Sequence, residues 1–180
     1  MDSSKLVLKI YANPSATSVK PVDAVPVFHS WIQKQSIKDH LLIDVADYSH
    51  VPDGPGTVLV AHEANFYLDE LDGRLGLTYS RKQPLPGPFA DRLRFVHRAL
   101  LDAAKLLTED EAFAGRIKFR PDEFTFKVND RLLAPNTPAT FEAVRSDLQR
   151  MFEGARLEPG FDEKRLFETG ILAPSAVTAA

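Results

Sequence analysis

The stretch FYLDELDGRLGLTY, residues 66–79, contains the strongest local folding signal in the chain. The dipeptide Asp72-Gly73 at its centre suits a two-residue turn whose backbone needs positive φ. With the turn there, two bulky apolar pairs face each other across a hairpin: Leu68 with Leu77, and Phe66 with Tyr79. The alternation in both arms therefore predicts two antiparallel strands in this register.

The arm before this turn extends back to residue 57 with the same alternation, which predicts one strand over 57–68. One face of that strand carries Val58, Val60, His62, Ala64, Phe66 and Leu68. Glu63 and Tyr67 point the other way. His62 would then lie on an apolar face, where an imidazole is either buried and hydrogen-bonded or lines a pocket.

Apolar periodicity predicts the remaining elements. They are a strand at 5–11, a helix from about Asp23 through Gln35, a buried strand at 41–46, a loop at 52–56, a helix at 89–109, strands at 116–120 and 124–128, and a helix from a Thr137 N-cap to Gly154. The order is β-α-β-β-β-α-β-β-α. We therefore expect an α+β fold, with a largely antiparallel sheet and about three helices packed on one face.

The length of 180 residues favours one substantial core over two small ones. We expect a single α+β domain over 1–160. Residues 161–180 form a C-terminal extension that docks in part through Phe161, Leu166 and Phe167. From Ala173 onward the composition is typical of a loose tail.

Composition narrows the function classes. Twenty-two Lys and Arg against 25 Asp and Glu leave a formal charge of -3, which provides no global field for binding nucleic acid. The absence of cysteine excludes thiolate metal sites and a cysteine nucleophile. The sequence shows neither a signal-peptide core nor an apolar run long enough to span a membrane. The expected location is therefore cytoplasmic.

The most concentrated polar set follows the strand at 41–46 and continues after the Pro/Gly loop. Its members are Asp44, Asp47, His50, His62 and Glu63. Imidazoles and carboxylates can hold a divalent metal ion, which is the cofactor that this set suggests. In that case Asp44, Asp47, His50 and His62 are the candidate ligands, and Glu63 is the candidate general base. The alternative is that these side chains satisfy turns and the core, which is the commoner meaning of such a set.

A pocket without metal is a further hypothesis. Its candidate ligand-binding residues are His29, Trp31, His62 and Tyr67. A sheet covered by helices leaves room for such a pocket between its layers. In the alternative interpretation, Trp31 simply anchors its helix on the sheet.

Basic residues also gather between 81 and 98: Arg81, Lys82, Arg92, Arg94, His97 and Arg98. They could bind a phosphate or an acidic surface. However, Asp91 lies three residues from Arg94 and Asp102 lies four from Arg98, spacings at which helical charges pair. A solvated helix face is therefore the favoured interpretation.

Four motifs resemble stretches of a bacterial protein family of unknown activity: LLIDVADYSHV at 41–51, GPG at 54–56, VAHEAN at 60–65 and NDRLLAPNT at 129–137. The resemblance covers most of residues 5–150. It implies a coherent single domain and no particular chemistry.

The sequence contains no complete catalytic constellation. We therefore expect a domain that acts by binding a protein partner or a small ligand, either as a homo-oligomer such as a homodimer or as a component of a larger assembly. The alternative is a metal-dependent, hydrolase-like enzyme that uses the His/carboxylate set.

Overall fold

A computed structural model describes residues 1–174 of the chain. In these residues eight strands form one antiparallel sheet. The strands are β1 (Leu6–Ala12), β2 (Leu42–Asp47), β3 (Thr57–Ala61), β4 (Ala64–Asp69), β5 (Gly76–Arg81), β6 (Phe119–Val128), β7 (Arg156–Pro159) and β8 (Phe167–Leu172). The helices are α1 (Val25–Lys34), α2 (Phe89–Glu109) and α3 (Pro138–Met151), with a short 3-10 turn over Pro21–Ala24. The expected α+β class is confirmed.

The strands are arranged in the order β2-β3-β4-β5-β1-β6-β8-β7. The first strand of the chain therefore lies near the centre of the sheet, between β5 and β6. The strands β2 to β5 pair as consecutive hairpins. In contrast, β1 pairs with β6, which follows it by more than a hundred residues. This long-range pairing joins the two halves of the sequence in one sheet.

The helices cover one face of the sheet, and the main core lies between the two layers. Leu8 and Ile10 of β1 are buried on this face against α2. The bounds of α2 equal those that the periodicity predicts, because its apolar residues recur at helical spacing and nine of its side chains are buried. The predicted Thr137 cap of α3 is also present, since its hydroxyl accepts a hydrogen bond from the Thr140 amide.

The hairpin between β4 and β5 has the predicted register, with Leu68 opposite Leu77 and Phe66 opposite Tyr79. Its loop is longer than the predicted two residues, because the ladder already ends at the pair Asp69 and Gly76. The loop closes through a hydrogen bond from the Gly73 amide to the Glu70 carbonyl, 2.8 Å long. Gly73 has φ of +73°, a conformation that favours glycine.

The single strand predicted over 57–68 is wrong. The chain reverses at His62-Glu63, so β3 and β4 pair with each other and Leu59 lies opposite Phe66. His62 is exposed in this turn and does not share the apolar face of the hairpin. Alternation continues through a tight reversal, and for this reason the pattern alone does not reveal the turn.

The two strands predicted at 116–120 and 124–128 are one strand, β6. Its pairing with β1 shifts register between Ile10 and Ala12, which pair with Phe124 and Phe119 respectively. Pro121 lies in this irregular stretch, where a residue without an amide proton is tolerated.

The C-terminal segment contributes two strands that the sequence did not predict. β8 is an interior strand between β6 and β7, and its side chains of Phe167 and Ile171 are fully buried. Phe161 is half exposed, and Leu166 is partly buried. Only three core-facing positions alternate in β8, one of them Thr169, so its periodic signal is weak. The end of the predicted loose tail, residues 175–180, lies outside the described residues.

The predicted buried strand at 41–46 is the edge strand β2. Leu41, just before β2, and Ile43 within it are both more than half exposed. The Gln35 carboxamide accepts a hydrogen bond from the Leu42 amide and donates one to the Leu42 carbonyl, both 3.2 Å long. This side chain therefore takes the place of a further strand at the edge.

The described part of the chain, residues 1–174, has no helix whose length and apolar character would let it cross a membrane.

Candidate functional site

The candidate site lies on the sheet face opposite the helices. Successive side chains of a strand point to opposite faces, so residues between the core positions of β1 point away from α2. We call this side the helix-free face. Its central members are Val7, Lys9, Tyr11, Tyr67, Asp69, Thr78, Ser80, Thr125 and Lys127.

A cavity of about 380 Å³ opens on this face. Its floor consists of small side chains, because Ser80 of β5 lies opposite Val7 of β1, next to Thr78. Its walls are longer side chains on the flanking strands, Tyr67 of β4 and Lys127 of β6. Small side chains between longer ones thus leave a concave space on the face of an otherwise regular sheet. The volume is in the range of small-molecule sites, which begins at about 300 Å³.

One end of the cavity is built around a buried lysine. The Lys9 Nζ donates to Asp69 Oδ1 at 2.8 Å, to Asp72 Oδ1 at 2.8 Å and to the Arg74 carbonyl at 3.0 Å. The second oxygen of Asp69 accepts a hydrogen bond of 2.6 Å from the Thr78 hydroxyl. Three acceptors satisfy the three protons of the ammonium, so Lys9 orders the β4–β5 loop rather than offering a vacant donor.

Gly76 makes room for this lysine. A Cβ atom at Gly76 would lie 2.5 Å from Lys9 Cε and 2.7 Å from the Ile10 carbonyl oxygen. Both distances are shorter than van der Waals contact. The glycine therefore lets the Lys9 side chain cross β5 toward the two carboxylates.

Tyr11 extends the same network toward β6. Its hydroxyl donates to Asp72 Oδ2 at 2.6 Å and lies 2.7 Å from Thr125 Oγ1. Burial and the hydrogen bond to Asp72 raise the pKa of Tyr11, so the phenol stays protonated. The Arg74 guanidinium stacks over the ring, 3.9 Å from its centroid. Arg74 also pairs with Glu123 at 2.6 Å.

The end of the cavity opposite the Lys9 network is basic. Lys127 Nζ lies 3.0 Å from Glu168 Oε2, and Arg165 lies 3.5 Å from the other oxygen of the same carboxylate. The side chain of Arg165 is 65% exposed and that of Lys127 is 34% exposed. Asn129 completes this wall. Two cations thus share one carboxylate where solvent can reach them.

Apolar side chains also line the cavity: Val7, Tyr67, Leu71 and Leu166. The Tyr67 hydroxyl accepts a hydrogen bond of 2.9 Å from Asn65 Nδ2, so its own proton can be donated elsewhere. In the described part of the chain, no protein hydrogen bond involves the Ser80 hydroxyl. The arrangement can bind a molecule with an apolar body and a polar end.

The structure does not bring the four candidate metal ligands together. Asp44 and Asp47 lie on β2, and His50 lies in the loop before β3. Asp47 lies opposite Thr57, whereas His62 lies beyond the other end of β3, five residues or roughly 16 Å farther along the strand. Asp44 lies opposite Val60 and is therefore nearer to His62. No group of three or more His, Asp or Glu side chains in residues 1–174 has a geometry that could hold a metal ion.

Glu63, the candidate general base, binds the backbone. Its Oε2 accepts a hydrogen bond of 2.8 Å from the Leu41 amide. Partial burial alone would raise the pKa of Glu63, but this hydrogen bond brings the pKa below its ordinary value. The carboxylate therefore stabilises the turn between β3 and β4 and is a weak base.

The predicted pocket of His29, Trp31, His62 and Tyr67 is also not assembled. Trp31 is buried in the core against Phe28, whereas His29 is exposed on α1. Tyr67 is on the helix-free face, across the sheet from Trp31. Of the four residues, Tyr67 lines the cavity described above.

The basic residues of 81–98 do not form one solvated face. Arg92 is buried and donates to the carbonyls of Asp2 and Ser3. Arg81 is buried and donates to the Gln83 carbonyl at 2.8 Å. Arg94 pairs with Asp91 as predicted, but Arg98 lies 3.7 Å from Asp39.

Two more histidines pack against aromatic side chains: His40, which is buried, and His97 of the basic group at 81–98, which is partly buried. His40 lies between Lys38 and Tyr79, with its Nε2 3.0 Å from the Tyr79 hydroxyl. His97 packs between the rings of Phe124 and Phe152, and burial lowers its pKa to about 4. Neither has a local sequence signal, because these aromatic rings come from segments distant in the chain.

Lys9 and Ser80 are the main cavity residues that sequence reasoning missed. The signal available was the polar Lys9 inside an apolar strand, LVLKIYA, and the run of small residues in GLTYS.

A scan against protein-family models, a search of curated proteins and a search of solved structures each find no match. The motif resemblance therefore stays an expectation, and functional assignment rests on the geometry of the cavity.

Proposed function

We propose that this protein binds a small molecule in the cavity on the helix-free face. The observation that carries the proposal is the floor of Val7, Thr78 and Ser80, which lies between the taller side chains of Tyr67 and Lys127. The rim supplies both polar and apolar contacts, as small-molecule sites do.

Binding is favoured over catalysis by the state of the charged groups at the site. Lys9 donates to Asp69 and Asp72, and Tyr11 donates to the same Asp72, so burial and this hydrogen bond raise the pKa of the phenol. A general base must be able to take up a proton from a substrate, and a nucleophile must be able to lose one. This network instead holds the loop that forms one end of the cavity.

The test is a fragment screen by ¹H–¹⁵N NMR with acids, bases and neutral molecules of about ten to fifteen heavy atoms. We expect binders that shift the amide signals of β1, β5 and β6. Ser80→Phe fills the cavity floor and should abolish these shifts. Ala46→Phe adds the same ring on β2, outside the cavity, and should leave them unchanged.

Both variants must give the dispersed spectrum of a folded protein, which is expected because aromatic residues suit strands. A screen in which no fragment shifts the β1, β5 and β6 signals would refute the proposal. Shifts that persist in Ser80→Phe would refute it as well, because the ligand would then bind elsewhere.

A further inference from the structure

The two ends of the cavity carry opposite surplus charge. At one end, Lys127 and Arg165 share the single carboxylate of Glu168. At the other end, Lys9 lies between the carboxylates of Asp69 and Asp72, and the nearby Arg74 is paired with Glu123. The first end is therefore positive by one charge, and the second is negative by one. A ligand in the cavity meets a field that orients it.

The positive end can bind a ligand anion, whereas the lysine at the negative end is occupied. Arg165 and Lys127 are partly exposed, so their donors can exchange Glu168 for another acceptor. A guanidinium and an ammonium together match the two oxygens of a carboxylate. Asn129 adds an amide group on the same wall.

The dimensions set the size of the ligand. Tyr67 on β4 and Lys127 on β6 are separated by three strand spacings, about 14 Å between backbones. Val7 of β1 lies between them, and Leu166 also lines the cavity. An aromatic or short aliphatic body fits there, with Tyr67 as the opposite wall.

We infer that the ligand is a small carboxylic acid with an apolar body, and that Lys127 and Arg165 bind its acid group. This inference rests on the proposed function, since it names the chemical class of the molecule that the cavity takes. Glu168 competes with the ligand for both cations. The same carboxylate keeps the two side chains in place when the cavity is empty.

Three probes with one body and different end groups test the inference: 3-phenylpropanoate, 3-phenylpropanamide and 3-phenylpropylamine. Their dissociation constants are measured by NMR titration on the full chain at low salt. We expect the acid to bind at least about tenfold more tightly than the amide, because charge-assisted hydrogen bonds are stronger than neutral ones. The amine should bind most weakly of the three.

Variants identify the residues. Lys127→Gln and Arg165→Gln should each weaken acid binding about fivefold to tenfold and leave amide binding unchanged, since only the acid is charged. Arg150→Gln, an exposed arginine on α3, is the matched control and should change neither. Glu168→Gln should tighten acid binding, because it removes the competing carboxylate. A residue that only held the fold together would not produce this gain.

The outcomes separate the inference from the proposed function. Equal binding of acid and amide at the cavity would overturn the inference and leave small-molecule binding intact. Tighter binding of the amine would also overturn it. If none of the three probes shifts the β1, β5 and β6 signals, and the fragment screen finds no binder there either, both are overturned.

Discussion

Lys9 and Asp69 form an ion pair on the helix-free face, with 2.8 Å between Nζ and Oδ1 and side-chain exposures of 6% and 1%. Both charges are thus removed from water by the loop that they organise. Such a pair is costly to break from one side, because the remaining charge loses its partner while it stays buried.

Lys9→Met should therefore lower the free energy of unfolding by about 3 to 5 kcal/mol. Urea denaturation measures the change. Lys5→Met, at an exposed lysine just before β1, is the control and should change stability by less than about 0.5 kcal/mol. Equal stability of the two variants would show that the pair contributes nothing to the fold.

Gly76→Ala should destabilise the protein by about 2 kcal/mol, because the added methyl group overlaps Lys9 Cε and the Ile10 carbonyl oxygen. Gly160→Ala places the same methyl group in open space and is the matched control. Thermal unfolding of both variants decides the question. If Gly76→Ala has the same melting temperature as the wild type, the close packing of Lys9 over β5 is contradicted.

His97 should make stability depend on pH. Burial lowers its folded pKa to about 4, whereas the unfolded value is 6.5. Between these values the unfolded chain binds a proton that the folded protein does not, so the free energy of unfolding falls as the pH is lowered through this window. The loss should reach about 2 to 3 kcal/mol near pH 4 and then level off.

Urea denaturation from pH 7 to pH 4 measures this slope. His97→Gln should reduce it, with a remainder from His40, whose pKa burial also lowers. His29→Gln, at an exposed histidine, should retain the full slope. An unchanged slope in His97→Gln would show that His97 titrates normally in the folded state.

The hydrogen bonds of His40 specify its tautomer. The Lys38 carbonyl can only accept, so Nδ1 carries the proton and Nε2 accepts from the Tyr79 hydroxyl. We expect the Nδ1–H form in a ¹H–¹⁵N spectrum of the imidazole at pH 7. Tyr79→Phe should keep this tautomer and cost about 1 to 2 kcal/mol, because it leaves the buried Nε2 without a donor. Observation of the Nε2–H form would contradict the arrangement.

Local patterns in the sequence were sufficient for the elements whose contacts are close in the chain. The pairing of Leu68 with Leu77 depends on two alternating arms and a loop centred on Asp72-Gly73. The bounds of α2 depend on apolar spacing within the helix itself. The same local reasoning failed at His62-Glu63, because a tight reversal preserves alternation. It therefore placed the wrong histidine on the apolar face, while His40 is the buried one.

The candidate site required the tertiary structure. Ser80, Val7 and Lys127 come from three distant segments, and only the order β5-β1-β6 places them side by side. That order is decided by which apolar faces can be buried together under α2, a property of the whole chain rather than of any strand. By itself, the sequence determined that helices and antiparallel strands form and which residues alternate. Tertiary packing decided which polar residues meet, because charges become a site only where separate strands bring them within a few ångströms.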